Sequence, residues 1–248
     1  MKFQKTSNKN FKKLIQDKRK TLTEKSGRFK HDAGIEKKII KDIFKKINPI
    51  DKTKSFLDIG CGIGHLTNLN IQLCQKKKID LTLCDLKFII DKLKKNHKNK
   101  KNLHFIGSEF QKYKFSNKKY DRIMIYSAIQ YVDNPKKFLN RAFKLLKSKG
   151  KMLIGDVPNI NKKFRFLISK FGKKFEAKKR NPNELKILTK SLKSFIKNTK
   201  QNTNINDKFI LWINKNFKKL KCQVFICKQP KELPFSFTRD DIIIKKLK

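Results

Sequence analysis

The residues best placed for chemistry are Asp58, Gly60, Cys61, Gly62, Gly64 and His65. They stand in the run Phe56-Leu57-Asp58-Ile59-Gly60-Cys61-Gly62-Ile63-Gly64-His65. The chain has nine glycines, and three of them fall here at alternate positions. In so glycine-poor a chain that concentration calls for a local cause. Glycine permits positive φ and lets another group approach the backbone where a Cβ would stand. The apolar residues before Gly60 read as a buried strand and those after Gly64 as a helix, so the glycines form a strand-to-helix turn. The group that approaches such a turn is usually nucleotide-like. Asp58, two positions before the first glycine, adds a carboxylate that can hold the turn or meet an amino group.

The elements that position this turn follow from periodicity. Ile79-Asp80-Leu81-Thr82-Leu83-Cys84-Asp85 reads as a second strand, with Asp85 at its end, 25 residues after Gly60. A carboxylate at that distance can accept both hydroxyl hydrogens of a ribose; the alternative is a cap on the following helix. Further strands are expected at Asn102–Gly107, Tyr120–Ser127 and Lys151–Val157. Between them lie residues at helical spacing: Leu66, Leu69 and Leu73; Leu86, Ile90 and Leu93; Phe138, Ala142, Leu145 and Leu146. Asn134-Pro135 opens the last of these helices, and Gly150 follows its basic end. Strands alternating with amphipathic helices imply a parallel sheet covered on both faces. Asp156 lies at the carboxyl end of the fifth strand, the edge where such sheets take ligands. Cys222–Cys227 and Asp241–Ile244 read as two closing strands joined only by a loop, which implies antiparallel pairing.

The spacing selects among nucleotide sites. The dinucleotide fingerprint G-x-G-x-x-G needs a third glycine where this chain has His65 or Thr67. The pattern D-x-G-x-G-x-G instead resembles the first motif of class I S-adenosylmethionine-dependent methyltransferases. The resemblance covers roughly residues 35 to 248. It implies an α/β, Rossmann-like sheet, mostly parallel, with a C-terminal antiparallel hairpin and helices on both faces. It implies S-adenosylmethionine as the methyl donor. Gly60, Cys61, Gly62 and Gly64 would then form the turn at its methionine moiety, with Asp58 holding that turn and Asp85 the ribose. The loop after the third strand would border the adenine, with Glu109 accepting from its amino group and Phe110 covering the ring; the alternative is a plain surface role for Glu109 and a core role for Phe110. Ser108 stands where many members of the family have an Asp. Ser127–Val132 resembles the family's segment at the mouth of the site, with Gln130 and Tyr131 in place of His. Asp156, Tyr131 and His65 are expected to border the acceptor, Asp156 being the first choice as base. His31 lies before the first helix, where related folds close over the donor, but a surface role is the favoured reading. Gln229–Phe235, Arg239–Ile244 and Gly155–Asn159 resemble bacterial methyltransferases found with surface-polysaccharide biosynthesis. The expected acceptor is therefore a small polar molecule, a sugar or a nucleotide-sugar-derived metabolite. The rivals are an RNA methyltransferase and a non-catalytic protein that binds the donor alone.

A chain of 248 residues is expected to form one domain with elaborations. Residues 1–34 read as a basic arm or an N-terminal helix bearing Phe11, Leu14 and Ile15. Residues 35–248 read as the methyltransferase domain. Within it a helical insertion at about 158–207, with Leu185, Leu188, Leu192 and Ile196 on one helix, is placed to cover the substrate mouth; the alternative is a surface excursion. A last helix carries Phe209, Ile213, Phe217 and Leu220. The net charge is +45, from 58 Lys but only 7 Arg. Arg is the better reader of phosphates and bases, so the charge implies nonspecific polyanion binding at low salt rather than dedicated RNA recognition. The five cysteines form no C-x-x-C pair and His is scarce, which argues against a metal site and for reduced thiols in a cytoplasmic protein. No secretory h-region or membrane-length apolar run is present. The oligomeric state is not encoded in any of these features.

Overall fold

The computed structural model describes residues 9, 12–25, 33–49, 54–98, 100–179 and 205–247. Its strands are β1 (Ser55–Ile59), β2 (Asp80–Asp85), β3 (Leu103–Gly107), β4 (Tyr120–Tyr126), β5 (Leu146–Pro158), β6 (Cys222–Cys227) and β7 (Arg239–Lys246). They form one sheet in the order β3-β2-β1-β4-β5-β7-β6. The first five are parallel, and β7 runs antiparallel to both β5 and β6. All five residues of β1 are buried, as a central strand covered on both faces requires. The sheet is thus mostly parallel with an antiparallel C-terminal hairpin.

The helices are α1 (Glu36–Ile47), α2 (His65–Lys76), α3 (Lys87–Asn96), α4 (Pro135–Lys144), α5 (Ile160–Ile168), α6 (Lys170–Lys179) and α7 (Asp207–Lys219). Side chains alternate across the pleat, so Phe56 faces one way and Leu57 the other. On one face Ile39, Ile43, Ile71, Cys74, Ile89 and Leu93 of α1 to α3 share a core with Phe56 and Leu83. On the other, Phe138 and Ala142 of α4 and Phe209, Ile213 and Phe217 of α7 pack on Leu57, Ile123 and Ile154. Side-chain amides start three helices. Asn134 accepts from the Lys137 N–H, Asn159 from Asn161 and Lys162, and Asn206 from Phe209. Pro135 occupies the first turn of α4, where its missing N–H costs nothing. Among the described residues no helix is long and apolar enough to cross a membrane.

The structure departs from the sequence pattern in three places. Leu145 and Leu146 do not extend α4, because Leu146 already pairs with Tyr120 as the first residue of β5, and the register then shifts before Arg122 meets Lys151. The fully buried stripe of α2 is Thr67, Asn70, Ile71 and Cys74, whereas Leu66, Leu69 and Leu73 are half-buried at the margin of the same core. Two polar residues can occupy that stripe because each finds a hydrogen-bond partner in the site described below. Leu220 lies past the end of α7 and is 49% exposed. Of the two readings of the N-terminal region, the described residues contain the helix. Residues 12–16 are helical, and Ile15 is buried in the core that includes α1. Beyond it Thr21 and Glu24 form a reciprocal cap on the short helix Leu22–Lys25. Phe11, His31 and the helix expected around Leu185–Ile196 lie outside the described residues.

Candidate active site

The turn after β1 is held from below and from the side. Asp58 is 2% exposed and accepts a hydrogen bond from Asn70 Nδ2 of α2 at 3.0 Å. Burial lifts its carboxyl to about 7, and the nearby Asp85 charge pushes in the same direction. Thr67 Oγ1 donates to the Cys61 carbonyl at 2.6 Å. Gly60 has φ +74°, and a Cβ there would lie 2.6 Å from Ala128 Cβ. Gly62 has φ +65°, and a Cβ there would meet nothing within 4 Å. The turn is therefore open on that side, with room for a ligand to approach its backbone. Gly64 is buried at φ 166°, an extended conformation, so the backbone angle demands glycine at only two of the three positions. His65 begins α2 and is exposed.

Beside the turn, at the carboxyl ends of β1 to β4, lies a cavity of about 150 Å³. Its lining includes Gly60, Asp85, Ser108, Glu109, Phe110 and Tyr131. Asp85 accepts from the N–H groups of Gly62 and Leu86, each at 2.7 Å, and so ties the glycine turn to the end of β2. Burial raises its carboxyl to about 6, against the opposing pull of those two N–H groups. Glu109 is half-buried and paired with Lys112 at 3.0 Å. Phe110 is buried, edge-on to Phe138 at 4.9 Å. Tyr131 is 51% exposed at the rim. The Gln130 amide donates to the Ser127 carbonyl at 2.8 Å, while its own Oε1 is buried without a partner. An acid at the ribose distance, an acid and an aromatic ring on one wall, and an open backbone turn fit an adenosyl group with an amino-acid tail.

Asp156 sits next to this cavity but not in its lining. Its carboxylate accepts from Ser127 Oγ, from the Arg239 guanidinium and from Gln229 Nε2. Its own N–H donates to Asp241 Oδ1 at 2.7 Å. Asp241, fully buried, also takes the Gln229 amide and the Lys46 ammonium, and Lys46 in turn reaches Asp42. Through these contacts Asp156, expected as the base, lies outside the cavity lining and forms a clamp that joins Ser127 to Gln229 and Arg239. Ser127 and Asp156 both adopt left-handed backbone, φ 52° and 56°, at the adjacent ends of β4 and β5. Such strain persists where surrounding contacts enforce it, and here each residue's side chain binds the other's.

The structure thus gathers Gly60, Asp85, Glu109, Phe110 and Tyr131 around one cavity, with Asp58 behind the turn. It leaves Cys61, Gly62, Gly64 and His65 outside the lining and gives Asp156 three partners. Asn70, Thr67, Ser127, Gln229 and Arg239 were not expected from sequence as site residues. For Asn70 and Thr67 a signal existed: two polar residues on the buried side of an otherwise apolar helix. Ser127 opens the segment expected at the mouth of the site, and Gln229 and Arg239 lie in the segments of the surface-polysaccharide resemblance; the three meet in one network.

The family model described as "Methyltransferase domain" matches residues 50–220. A curated relative, the mitochondrial ubiquinone biosynthesis O-methyltransferase of Dictyostelium discoideum, is 30% identical over 123 residues. That match covers 46% of this chain and 37% of the relative, so the chain spans little more than a third of that relative's length. Among solved structures, the plantazolicin methyltransferase BamL, in complex with a triazolic desmethylPZN analog and S-adenosylhomocysteine, aligns with a TM-score of 0.58. It is 17% identical, covering 92% of this chain and 88% of that one. The N-methyltransferase NodS from Bradyrhizobium japonicum WM9, in complex with S-adenosylhomocysteine, aligns with a TM-score of 0.55 at 10% identity, covering 95% of each chain. At such identities these two structures speak to the fold, while the match over residues 50–220 speaks to the family: the chain belongs to the class I S-adenosylmethionine-dependent methyltransferases.

Proposed function

We propose that this protein transfers the methyl group of S-adenosylmethionine to an oxygen of a small polar acceptor, a sugar or a nucleotide-sugar-derived metabolite. The observation that carries the reading is the cavity lined by Gly60, Asp85, Glu109 and Phe110, with Tyr131 at its rim. The donor supplies a methyl group already activated on a sulfonium. What the chain must add is alignment, and positioning alone can supply much of the rate. Asp85 would accept from the ribose hydroxyls, Glu109 from the adenine amino group, and Phe110 would cover the ring. Tyr131 would border the acceptor. As the new C–O bond forms and the C–S bond breaks, the acceptor hydroxyl must lose its proton. Water at the rim would receive it, with Tyr131 holding the acceptor hydroxyl, while the Asp156 oxygens are engaged by Ser127, Gln229 and Arg239. In this reading Asp156 positions Ser127 and the cavity wall. Helices α5 and α6 follow the carboxyl end of β5 directly, the place for a cover over the acceptor.

The oxygen acceptor draws support from the name of the Dictyostelium relative. The sugar draws support from the Gly155–Asn159, Gln229–Phe235 and Arg239–Ile244 resemblance. Two experiments test the reading. Calorimetry should show binding of S-adenosylmethionine and S-adenosylhomocysteine with no comparable affinity for NAD. Labelled methyl transfer should then be followed to nucleotide sugars, small phenols and RNA. Preference for NAD would overturn the donor assignment. Efficient methylation of RNA at physiological salt would overturn the acceptor assignment and leave the donor intact.

A further inference from the structure

Glu36 is the first residue of α1 and is only 2% exposed, yet neither of its carboxylate oxygens has a hydrogen-bond partner. Among the described residues no other carboxylate is in that state. The remaining buried residues of α1 are Ile39, Ile40, Ile43 and Ile47. Any of their kind at position 36 would continue the stripe, whereas a buried, unpaired carboxylate opposes folding. A carboxylate buried without a partner in the free protein is open to a cationic ligand.

The helix geometry says where Glu36 lies. The other end of α1 is fixed at the amino edge of the sheet, where Arg122 Nε donates to the Ile47 carbonyl at 2.7 Å. Arg122 pairs with Phe56, near the start of β1. From Ile47 back to Glu36 the helix rises about 16 Å. That is about the length of β1 at 3.3 Å per residue, so Glu36 is level with the turn that follows Ile59. It is also on the right face. Ile39, Ile40 and Ile43 share one core with Ile71 and Cys74 of α2, and Cys61, Ile63 and Leu66 pack against that core. Asp58 points to the same side, onto Asn70 of α2.

The donor has two ends of different chemistry. Asp85, Glu109 and Phe110 are arranged for the adenosyl end. The other end carries an α-ammonium, and the Asp58 carboxylate beside the turn is engaged with Asn70. We infer that Glu36 receives the α-ammonium at the amino-acid end of the donor, an assignment that rests on the donor reading above. Two residues earlier Gly34 turns the backbone at φ +85°, with open space on its Cβ side.

The test uses the full chain and its Glu36→Gln variant, with two probes that share the adenosine. S-adenosylhomocysteine has the amino-acid tail, and 5′-methylthioadenosine lacks it. The inference expects Glu36→Gln to weaken S-adenosylhomocysteine by about 10-fold or more, the loss of one charge-assisted contact, with methylthioadenosine unchanged. The variant should also melt no lower than wild type, because an unpaired buried charge has been removed. Equal weakening of both probes, or of neither, overturns it. A second measurement needs no variant: wild type should bind S-adenosylhomocysteine lacking its α-amine more weakly than the parent by a similar factor. Equal affinity for the two would also overturn the assignment. Failure of wild type to bind any of these adenosyl probes would count instead against the donor reading itself.

Discussion

Asp85→Ala should weaken donor binding far more than it weakens the fold. In the free protein the carboxylate accepts two backbone N–H groups, from Gly62 and Leu86, each at 2.7 Å. Alanine leaves both without that acceptor. Gly62 and Leu86 are half-buried, so water replaces part of the loss, and each bond contributes about 0.5–1.5 kcal/mol net. In the other direction, the substitution removes a carboxylate that burial already disfavours, as its rise to about 6 records. The two effects oppose, and the net loss of stability should stay under about 2 kcal/mol. Donor binding has no such offset. Two ribose hydroxyls lose a charged acceptor worth about 1.5–3 kcal/mol per bond. The glycine turn also loses its tie to β2. Even one bond corresponds to about 10-fold, so S-adenosylhomocysteine affinity should fall by at least that factor. Asp85→Asn keeps one carbonyl acceptor and should fall between alanine and wild type. Calorimetry and a thermal melt on the same samples separate the two quantities. A folded Asp85→Ala protein that binds S-adenosylhomocysteine like wild type would show that Asp85 only ties the turn, and the ribose assignment would fail.

The raised carboxyls of Asp58 and Asp85 make opposite predictions for fold and ligand. Both start from 3.8 and lie near 7 and 6 in the folded protein, so between about pH 4 and 7 the folded state holds more protons than the unfolded one. Through this pair the free protein should gain stability as pH falls across that window, while donor affinity should drop as pH falls through about 6 and Asp85 loses its acceptor charge. Melts with and without S-adenosylhomocysteine would show the ligand-induced shift shrinking at the acidic end; a constant shift would refute it. Gly60→Ala should destabilise by more than about 1 kcal/mol, since its Cβ would sit 2.6 Å from Ala128 Cβ at φ +74°. Gly62→Ala meets no neighbour within 4 Å, so it should cost the fold only its backbone strain, about 1–2 kcal/mol, yet impair donor binding; unimpaired binding would mean that the ligand does not approach that backbone. Asp156→Asn leaves the Arg239 guanidinium without its countercharge. It should lower the melting temperature without changing the shape of the pH–rate profile; loss of one limb of that profile would restore Asp156 as the base.

Much of the fold was legible because its signals are local. Period-two and period-3.6 apolar patterns marked the strands and helices α2, α3, α4 and α7, and the bare loop before Arg239 announced the antiparallel closure, whereas α5 and α6 were not placed individually. The glycine turn was legible for the same reason, since a backbone with φ +74° at Gly60 and +65° at Gly62 favours one residue type. Local signals also misled. Leu145 and Leu146 continue a helical period, and only pairing with Tyr120 made Leu146 a strand residue.

The sequence by itself determined the class of the fold, the place of the glycine turn and the acid at the end of β2, because each is written within a single element or in the spacing between two. It carried no account of what surrounds Asp156. That carboxylate's partners come from Ser127, Gln229 and Arg239, brought together only when β7 inserts beside β5. Nor did it announce that Glu36 would be buried without a partner, since an acid at the start of a helix normally reads as a solvated charge near the helix dipole. Whether a charge is solvated, clamped or left alone depends on which distant segments exclude water around it, and that is decided by tertiary packing.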